Sequence, residues 1–174
     1  MSALIPSGNA TGTGTMTLLA PPTNGTQTVT IPDATGTMMV SGNMPAFSAY
    51  QSSTQTLSSA TFTKLQFQSK EFDTASAFDS TTNYRFTPLV AGYYQVSGGI
   101  SNNTGTQTVL SIYKNGGDFK RGSNGVLFGS SLSALVYLNG STDYVELYGY
   151  FAVGTTVNTG SNLTYFQASL VRTA

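Results

Sequence analysis

Phe67-Gln68-Ser69-Lys70-Glu71-Phe72-Asp73, continuing through Phe78 and Phe86 to Gly92-Tyr93-Tyr94-Gln95-Val96, is the stretch from which the fold can be read. Aromatic residues return along it at intervals, a polar turn former, Asp73, ends the first run, and a Gly-x-Tyr opens the next. Aromatic and β-branched residues between short polar turns are the pattern of strands. From Tyr94 the alternation is clean, with Tyr94, Val96, Gly98 and Ile100 on one face and Tyr93 and Gln95 on the other. That is the period of two which a pleated strand imposes.

The same period recurs downstream. Leu132, Ala134, Val136 and Leu138 alternate with Ser131, Ser133, Leu135 and Tyr137. Val145 and Leu147 lie opposite Tyr144, Glu146, Tyr148 and Tyr150, and Phe166, Ala168 and Leu170 lie opposite Tyr165 and Gln167. Phe62, Leu65 and Phe67 mark an earlier strand with an offset inside it. Asn115-Gly116 and Asn139-Gly140 are hairpin signals, because both residues accept the positive φ of a tight turn. No amphipathic helical window of useful length interrupts the series, so the expected class is an all-β antiparallel sandwich.

The order Phe67, Asp73, Phe78, Phe86, Gly92-x-Tyr94 resembles the signature of the C1q/TNF-like jelly roll. Leu110-Ser111-Ile112-Tyr113-Lys114-Asn115-Gly116, Leu138-Asn139-Gly140 and Tyr165-Phe166-Gln167-Ala168-Ser169-Leu170 are similar to its later strands. The resemblance implies a jelly-roll β-sandwich head over residues 45–174 that assembles as a homotrimer by packing one sheet around a threefold axis. Alternation within that fold predicts a core of Phe67, Phe78, Phe86, Tyr94, Val96, Phe166 and Leu170. The opposite faces hold tyrosines where a monomer would carry charge, so Tyr93, Gln95, Tyr144, Tyr148, Tyr165 and Gln167 are expected at the subunit interface.

Residues 1–44 read differently. Asp33 is the only charged residue before Lys64, and the segment is rich in Thr, Gly, Pro and Ala. Short alternating runs, Thr15–Leu18, Thr26–Ile31 and Thr37–Val40, are separated by Pro/Gly turns. Such strands are too short to fold alone and are expected to form a short β shaft or anchor when three copies associate. Thr28-Val29-Thr30-Ile31-Pro32-Asp33-Ala34-Thr35-Gly36-Thr37 resembles an element of bacteriophage tail-fibre and other virion appendage proteins.

Composition narrows the function classes. The chain has 174 residues, of which 8% are charged, with seven basic and seven acidic residues and a formal net charge of zero. Nucleic-acid binding requires clustered cations, and Lys120-Arg121 is the only adjacent pair, so no nucleic acid is expected. Cysteine and histidine are absent, which removes a disulfide framework and a zinc site from consideration. No secretory leader is read at Met1–Pro6 and no apolar run reaches the ~18 residues that span a bilayer, so membrane insertion is not expected. Without His or Cys, acid/base chemistry would fall mainly to carboxylates, and Glu71, Asp73 and Asp79 are the only local cluster. Asp73 is expected to cap a turn there, leaving neither a catalytic site, a cofactor nor a named metal ligand.

The two resemblances together imply a virion protein made in the host cytoplasm, a trimeric short fibre whose head attaches to the host. The N-terminal segment would join other virion proteins of tail, portal-proximal region or capsid, and the head would meet a host glycan or protein. Asn102, Asn103, Asp118, Lys120, Arg121 and Asn158 are candidate recognition residues in loops at the ends of the head. Two alternatives stand: a capsid decoration protein at threefold or quasi-threefold positions, and a secreted C1q-like lectin or ligand.

Overall fold

The computed structural model of the protein describes residues 44–126 and 128–174, with Thr11, Thr13, Thr17, Met39, Val40 and Gly42. The chain divides into two units, Met1–Thr35 and Gly36–Ala174. The short strands expected at Thr15–Leu18 and Thr26–Ile31, and most of the run Thr37–Val40, lie outside the described residues.

The second unit is built of strands β1 (Ala46–Tyr50), β2 (Thr56–Leu57), β3 (Thr63–Lys64), β4 (Ser69–Asp73), β5 (Phe78–Asp79), β6 (Arg85–Phe86) and β7 (Gly92–Ser101). It continues through β8 (Gln107–Lys114), β9 (Gly117–Arg121), β10 (Gly125–Val126), β11 (Gly129–Leu138), β12 (Val145–Phe151), β13 (Thr155–Thr156) and β14 (Tyr165–Thr173). A five-stranded sheet runs β11-β7-β14-β1-β4. It faces a seven-stranded sheet, β10-β8-β12-β6-β5, in which β3 also pairs with β12 and β9 with β8. Every strand pairing is antiparallel, and the first and last strands sit side by side, Phe47 opposite Ala168 and Ala49 opposite Phe166. The result is a jelly-roll β-sandwich.

Aromatic rings join the two sheets. Phe47 from β1 stacks on Phe78 from β5 and on Phe86 from β6, each with centroids 4.6 Å apart. Phe166 from β14 meets Phe47 edge-on at 5.0 Å and touches Phe67 and Phe78. Tyr94 from β7 closes the cluster against Phe86 at 5.5 Å. Phe67, Phe78, Phe86, Tyr94, Val96, Phe166 and Leu170 are all buried, as is Phe47, which stands at the centre of the stack. The strand carrying Phe47 escapes the sequence reading because Ala46-Phe47-Ser48-Ala49-Tyr50 alternates one large residue with small ones.

Two aspartates aim these rings. Asp73 accepts the N–H groups of Ala77 (3.0 Å) and Phe78 (3.1 Å), which turns the chain so that Phe78 points inward. Asp79 accepts the N–H groups of Thr81, Thr82 and Asn83 at 2.9–3.0 Å and closes the turn that returns the chain to Phe86. Short polar side chains that bond the backbone ahead of them are effective turn formers.

The two Asn-Gly signals have different outcomes. Asn115-Gly116 forms the expected hairpin between β8 and β9, with φ of 53° and 80°. Asn139-Gly140 does not form a hairpin, because β11 and β12 belong to different sheets. There Asn139 Oδ1 accepts the N–H groups of Ser141, Thr142 and Asp143, making a tight arch over the edge of the sandwich. Gly140 has φ 70°, and a Cβ on it would lie 2.3 Å from the Ala91 backbone nitrogen.

Phe47→Ala is expected to cost about 3–5 kcal/mol, since a ring packed on three others cannot be replaced by local collapse. Gly140→Ala is expected to cost more than about 1 kcal/mol through positive φ and backbone contact. Urea unfolding at one fixed chain concentration checks both; a Phe47→Ala chain with an unchanged midpoint would contradict the central role of that ring.

Candidate functional site

The outward sides of the two sheets differ in how they are finished. On the five-stranded sheet, alternation turns Tyr93, Gln95 and Ser97 outward from β7, with Leu135 and Tyr137 from β11 and Gln167 and Ser169 from β14. Register sets Tyr137 opposite Tyr93, with centroids 5.5 Å apart, Leu135 opposite Gln95, and Ser97 opposite Gln167. Tyr165 lies on Gly99, where a Cβ would come within 2.7 Å of its ring. Phe72, Leu135 and Val171 keep 51%, 52% and 53% of their surface exposed. A depression of about 340 Å³ lies between Phe72, Gln95, Ser97 and Gln167. Charge enters this face from its margins, where Arg172 sits 5.5 Å over the ring of Tyr93, Lys70 pairs with Asp73, and Glu71 on edge strand β4 accepts the Ser48 hydroxyl of β1.

On the seven-stranded sheet the aromatics of the central strands are covered, while Phe119 on β9 and Val126 on β10 are exposed at the edge. Tyr148 stacks on Tyr113 at 3.8 Å, and burial raises both phenol pKa values. Lys64 pairs with the buried Glu146 at 2.5 Å. Arg85 lies 4.3 Å over Tyr144, and Arg121 4.5 Å over Phe62. Lys114 pairs with Asp143 at 2.9 Å.

This placement divides the expected interface residues between two faces. Tyr93, Gln95, Tyr165 and Gln167 share the outward side of the five-stranded sheet, whereas Tyr144 and Tyr148 stand on the opposite side of the molecule. Alternation separates inward from outward positions along one strand. It does not say which sheet the strand joins, which is settled by pairing between residues far apart in sequence. Phe72, Leu135, Tyr137 and Val171 share the outward side of the five-stranded sheet with Tyr93, and Leu135 and Tyr137 alternate out of phase with the core.

The recognition candidates divide similarly. Asn102 is only 1% exposed; its Nδ2 donates to Thr108 Oγ1, and its Oδ1 accepts the N–H groups of Thr104 and Gly105. It shapes its loop from within. Asn158 Nδ2 donates to Ser101 Oγ at 3.0 Å. Asp118, Lys120 and Arg121 lie on strand β9 rather than in a terminal loop. Asp118 accepts the Ser111 hydroxyl and pairs with Arg121. Asn103, Lys120 and Arg121 remain exposed.

The acidic cluster is occupied by structure. Asp73 and Asp79 hold turns, and Glu71 accepts the Ser48 hydroxyl at 2.7 Å. Among the described residues no group of three or more His, Cys, Asp or Glu side chains is gathered, and no helix is long and apolar enough to cross a membrane.

No family model matches the chain, and no curated protein matches it. Solved structures do resemble it. Murine APRIL superposes with a TM-score of 0.59 at 9% identity, covering 74% of this chain and 99% of that one. The PRD1 vertex protein P5 gives 0.57 at 15% identity over 74% of this chain and 97% of its own. Eiger TNF from S. frugiperda gives 0.56 at 12% identity over 75% and 93%. At such identities the likeness is one of fold: the head is a TNF-like jelly roll.

The carboxylates give a pH signature. Backbone N–H bonds from Thr82 and Thr81 hold Asp79 far below the usual carboxylate range, and the amide of Asn115 and the ammonium of Lys114 lower Asp143. A lowered folded-state pKa contributes stability that is complete above the unfolded value of about 3.9 and lost as pH falls. The melting temperature is therefore expected to fall as pH drops from about 4 toward 2, and Asp79→Asn to be less stable at neutral pH with a shallower acid slope. Melting curves across that window check this; an Asp79→Asn slope equal to that of the unaltered chain would contradict it.

Proposed function

We propose that this chain is a structural protein of a bacteriophage particle, a homotrimer whose heads associate through the outward side of the five-stranded sheet. The observation that carries the assembly is the contrast between the two outward faces. Leu135, Phe72 and Val171 are half-exposed on a face with charge only at its margins, while the central strands of the other sheet cover their rings with Arg85, Arg121 and stacked tyrosines and leave Phe119 and Val126 exposed only at the edge. Depletion of charge together with enrichment in Tyr and Phe is the composition of association surfaces.

The arrangement of apolar groups favours a head-to-tail contact. Leu135 and Tyr137 lie on β11 at one edge of the sheet and Phe72 on β4 at the other, with Gln95, Ser97 and Gln167 between them. Opposite edges of like chemistry fit a cyclic arrangement in which each subunit presents one edge to the next. Closure at three is what the C1q/TNF-like resemblance implies.

In this reading residues 1–44 fasten the trimer to neighbouring virion proteins, and residues 45–174 display the head for attachment to the host. The chain acts by binding and assembly rather than as an enzyme. The jelly roll shared with a phage vertex protein supports a place in the particle, and the resemblance of Thr28–Thr37 to appendage proteins supports an appendage. Capsid decoration is the second reading, supported by the likeness of fold to a phage vertex protein.

Light scattering is expected to give three times the 18.2 kDa chain mass. Leu135→Asp combined with Tyr137→Ser is expected to yield monomers with unchanged strand signal in circular dichroism. A folded wild-type chain at the monomer mass would overturn the assembly reading. A chain beginning at Met44 is expected to stay trimeric yet be missing from purified particles, and residues 1–43 fused to a carrier to be incorporated. Normal recovery of the shortened chain on particles would move attachment to the head.

A further inference from the structure

The seven-stranded sheet carries a second apolar centre on its outward side. Val109 on β8 alternates with Leu110, which belongs to the core, and so points away from the core; even so, it is only 4% exposed. What covers it is a set of side chains from three separate segments. Tyr150 is its register partner on β12, Phe62 stands 5.2 Å from Tyr150 at a tilt of 38°, and the Arg121 guanidinium lies 4.5 Å over Phe62. Beside them Gln107 Nε2 donates to Asn124 Oδ1 at 2.6 Å. Together Phe62, Gln107, Val109, Arg121, Asn124 and Tyr150 bound an open cleft of about 240 Å³.

The lining defines a ligand chemistry. Ring faces and a valine floor offer apolar contact over a flat area. The amide pair fixes its own geometry through one mutual bond, which leaves Gln107 Oε1 to accept and the Asn124 amide to donate at the rim. Neighbouring hydroxyls on a sugar ring each donate and accept, and the axial C–H face of a pyranose is apolar and flat. Arg121 is already paired with Asp118, so the cleft does not select for an anion. The volume is below the roughly 300–1,000 Å³ of sites for drug-sized ligands and suits one ring-sized group.

We propose that this cleft binds a neutral pyranose of a surface glycan, with the sugar's C–H face against Tyr150 beside the edge of Phe62 and its hydroxyls bonded to Gln107, Asn124 and Arg121. The inference rests on the reading above in one respect: the seven-stranded sheet must face outward in the assembly. It gives the head a recognition site on the flank of the sandwich, where strand β9 delivers Arg121, rather than in its end loops.

The test is saturation-transfer NMR on the full chain with glucose, galactose, mannose, N-acetylglucosamine and rhamnose as separate probes, with glucuronate and an oligoproline peptide as the contrasting arms. At least one neutral sugar is expected to bind and to shift the ring resonances of Tyr150 and Phe62. Tyr150→Val and Asn124→Ala are each expected to weaken that binding about ten-fold or more with unchanged molar mass. Asn103→Ala, away from the cleft, is expected to bind as the unaltered chain does. Silence from every neutral sugar, binding of glucuronate or oligoproline alone, or full binding by both cleft variants would overturn the proposal. A monomer mass with intact sugar binding would instead sink the assembly reading and leave this one standing.

Discussion

The stacking of Phe47 between Phe78 and Phe86, with Phe166 set edge-on, is the contact on which the rest of the head depends. These rings come from both sheets and from both ends of the described chain, so their packing fixes the spacing of the sandwich and the pairing of its first and last strands. Aromatic pairs in offset or edge-on geometry contribute beyond the area they bury. The local chemistry serves this centre. Asp73 and Asp79 spend their carboxylate oxygens on backbone N–H groups so that Phe78 and Phe86 reach it, and Tyr94 donates its hydroxyl to Val90 O at 2.7 Å, with a phenol pKa pushed up to about 12 by burial. Both carboxylates are thereby committed to holding turns.

Once the core is fixed, the two outward faces are free to specialise. The seven-stranded sheet pairs Lys64 with Glu146, Lys114 with Asp143 and Arg121 with Asp118, a finish suited to water. The five-stranded sheet leaves leucine, valine and phenylalanine side chains uncovered, and its central polar groups are uncharged amides and hydroxyls. In an assembly built on that second face, stability would come from contacts between chains, which fits a small domain that has no disulfide to stiffen it.

The sequence made the fold legible because strand alternation is local. The inward residues of β7, β11, β12 and β14 follow from period two alone, and the Asn115-Gly116 hairpin from the preference of those residues for positive φ. What depended on distant pairing was not legible. Tyr144 and Tyr148 were grouped with Tyr93 because all three alternate outward, yet they belong to different sheets. Asn139-Gly140 carries the same turn chemistry as Asn115-Gly116, but it crosses between sheets because β11 pairs with β7 and β12 with β8. Asn102 looked like an exposed loop residue, and its burial follows from a hydrogen bond to Thr108 that composition does not announce. The cleft over Val109 draws on residues from Phe62 to Tyr150, a set that no linear motif could mark.

A cryo-EM map of the particle that contains this chain tests the central claim most directly. The account predicts threefold heads in which the five-stranded sheets, with Phe72, Leu135 and Tyr137, turn toward the neighbouring subunits, and the seven-stranded sheets with Tyr148 and Arg121 face solvent. Heads that stand singly, or that associate through the Tyr113–Tyr148 face while Leu135 and Phe72 lie open to solvent, would contradict it.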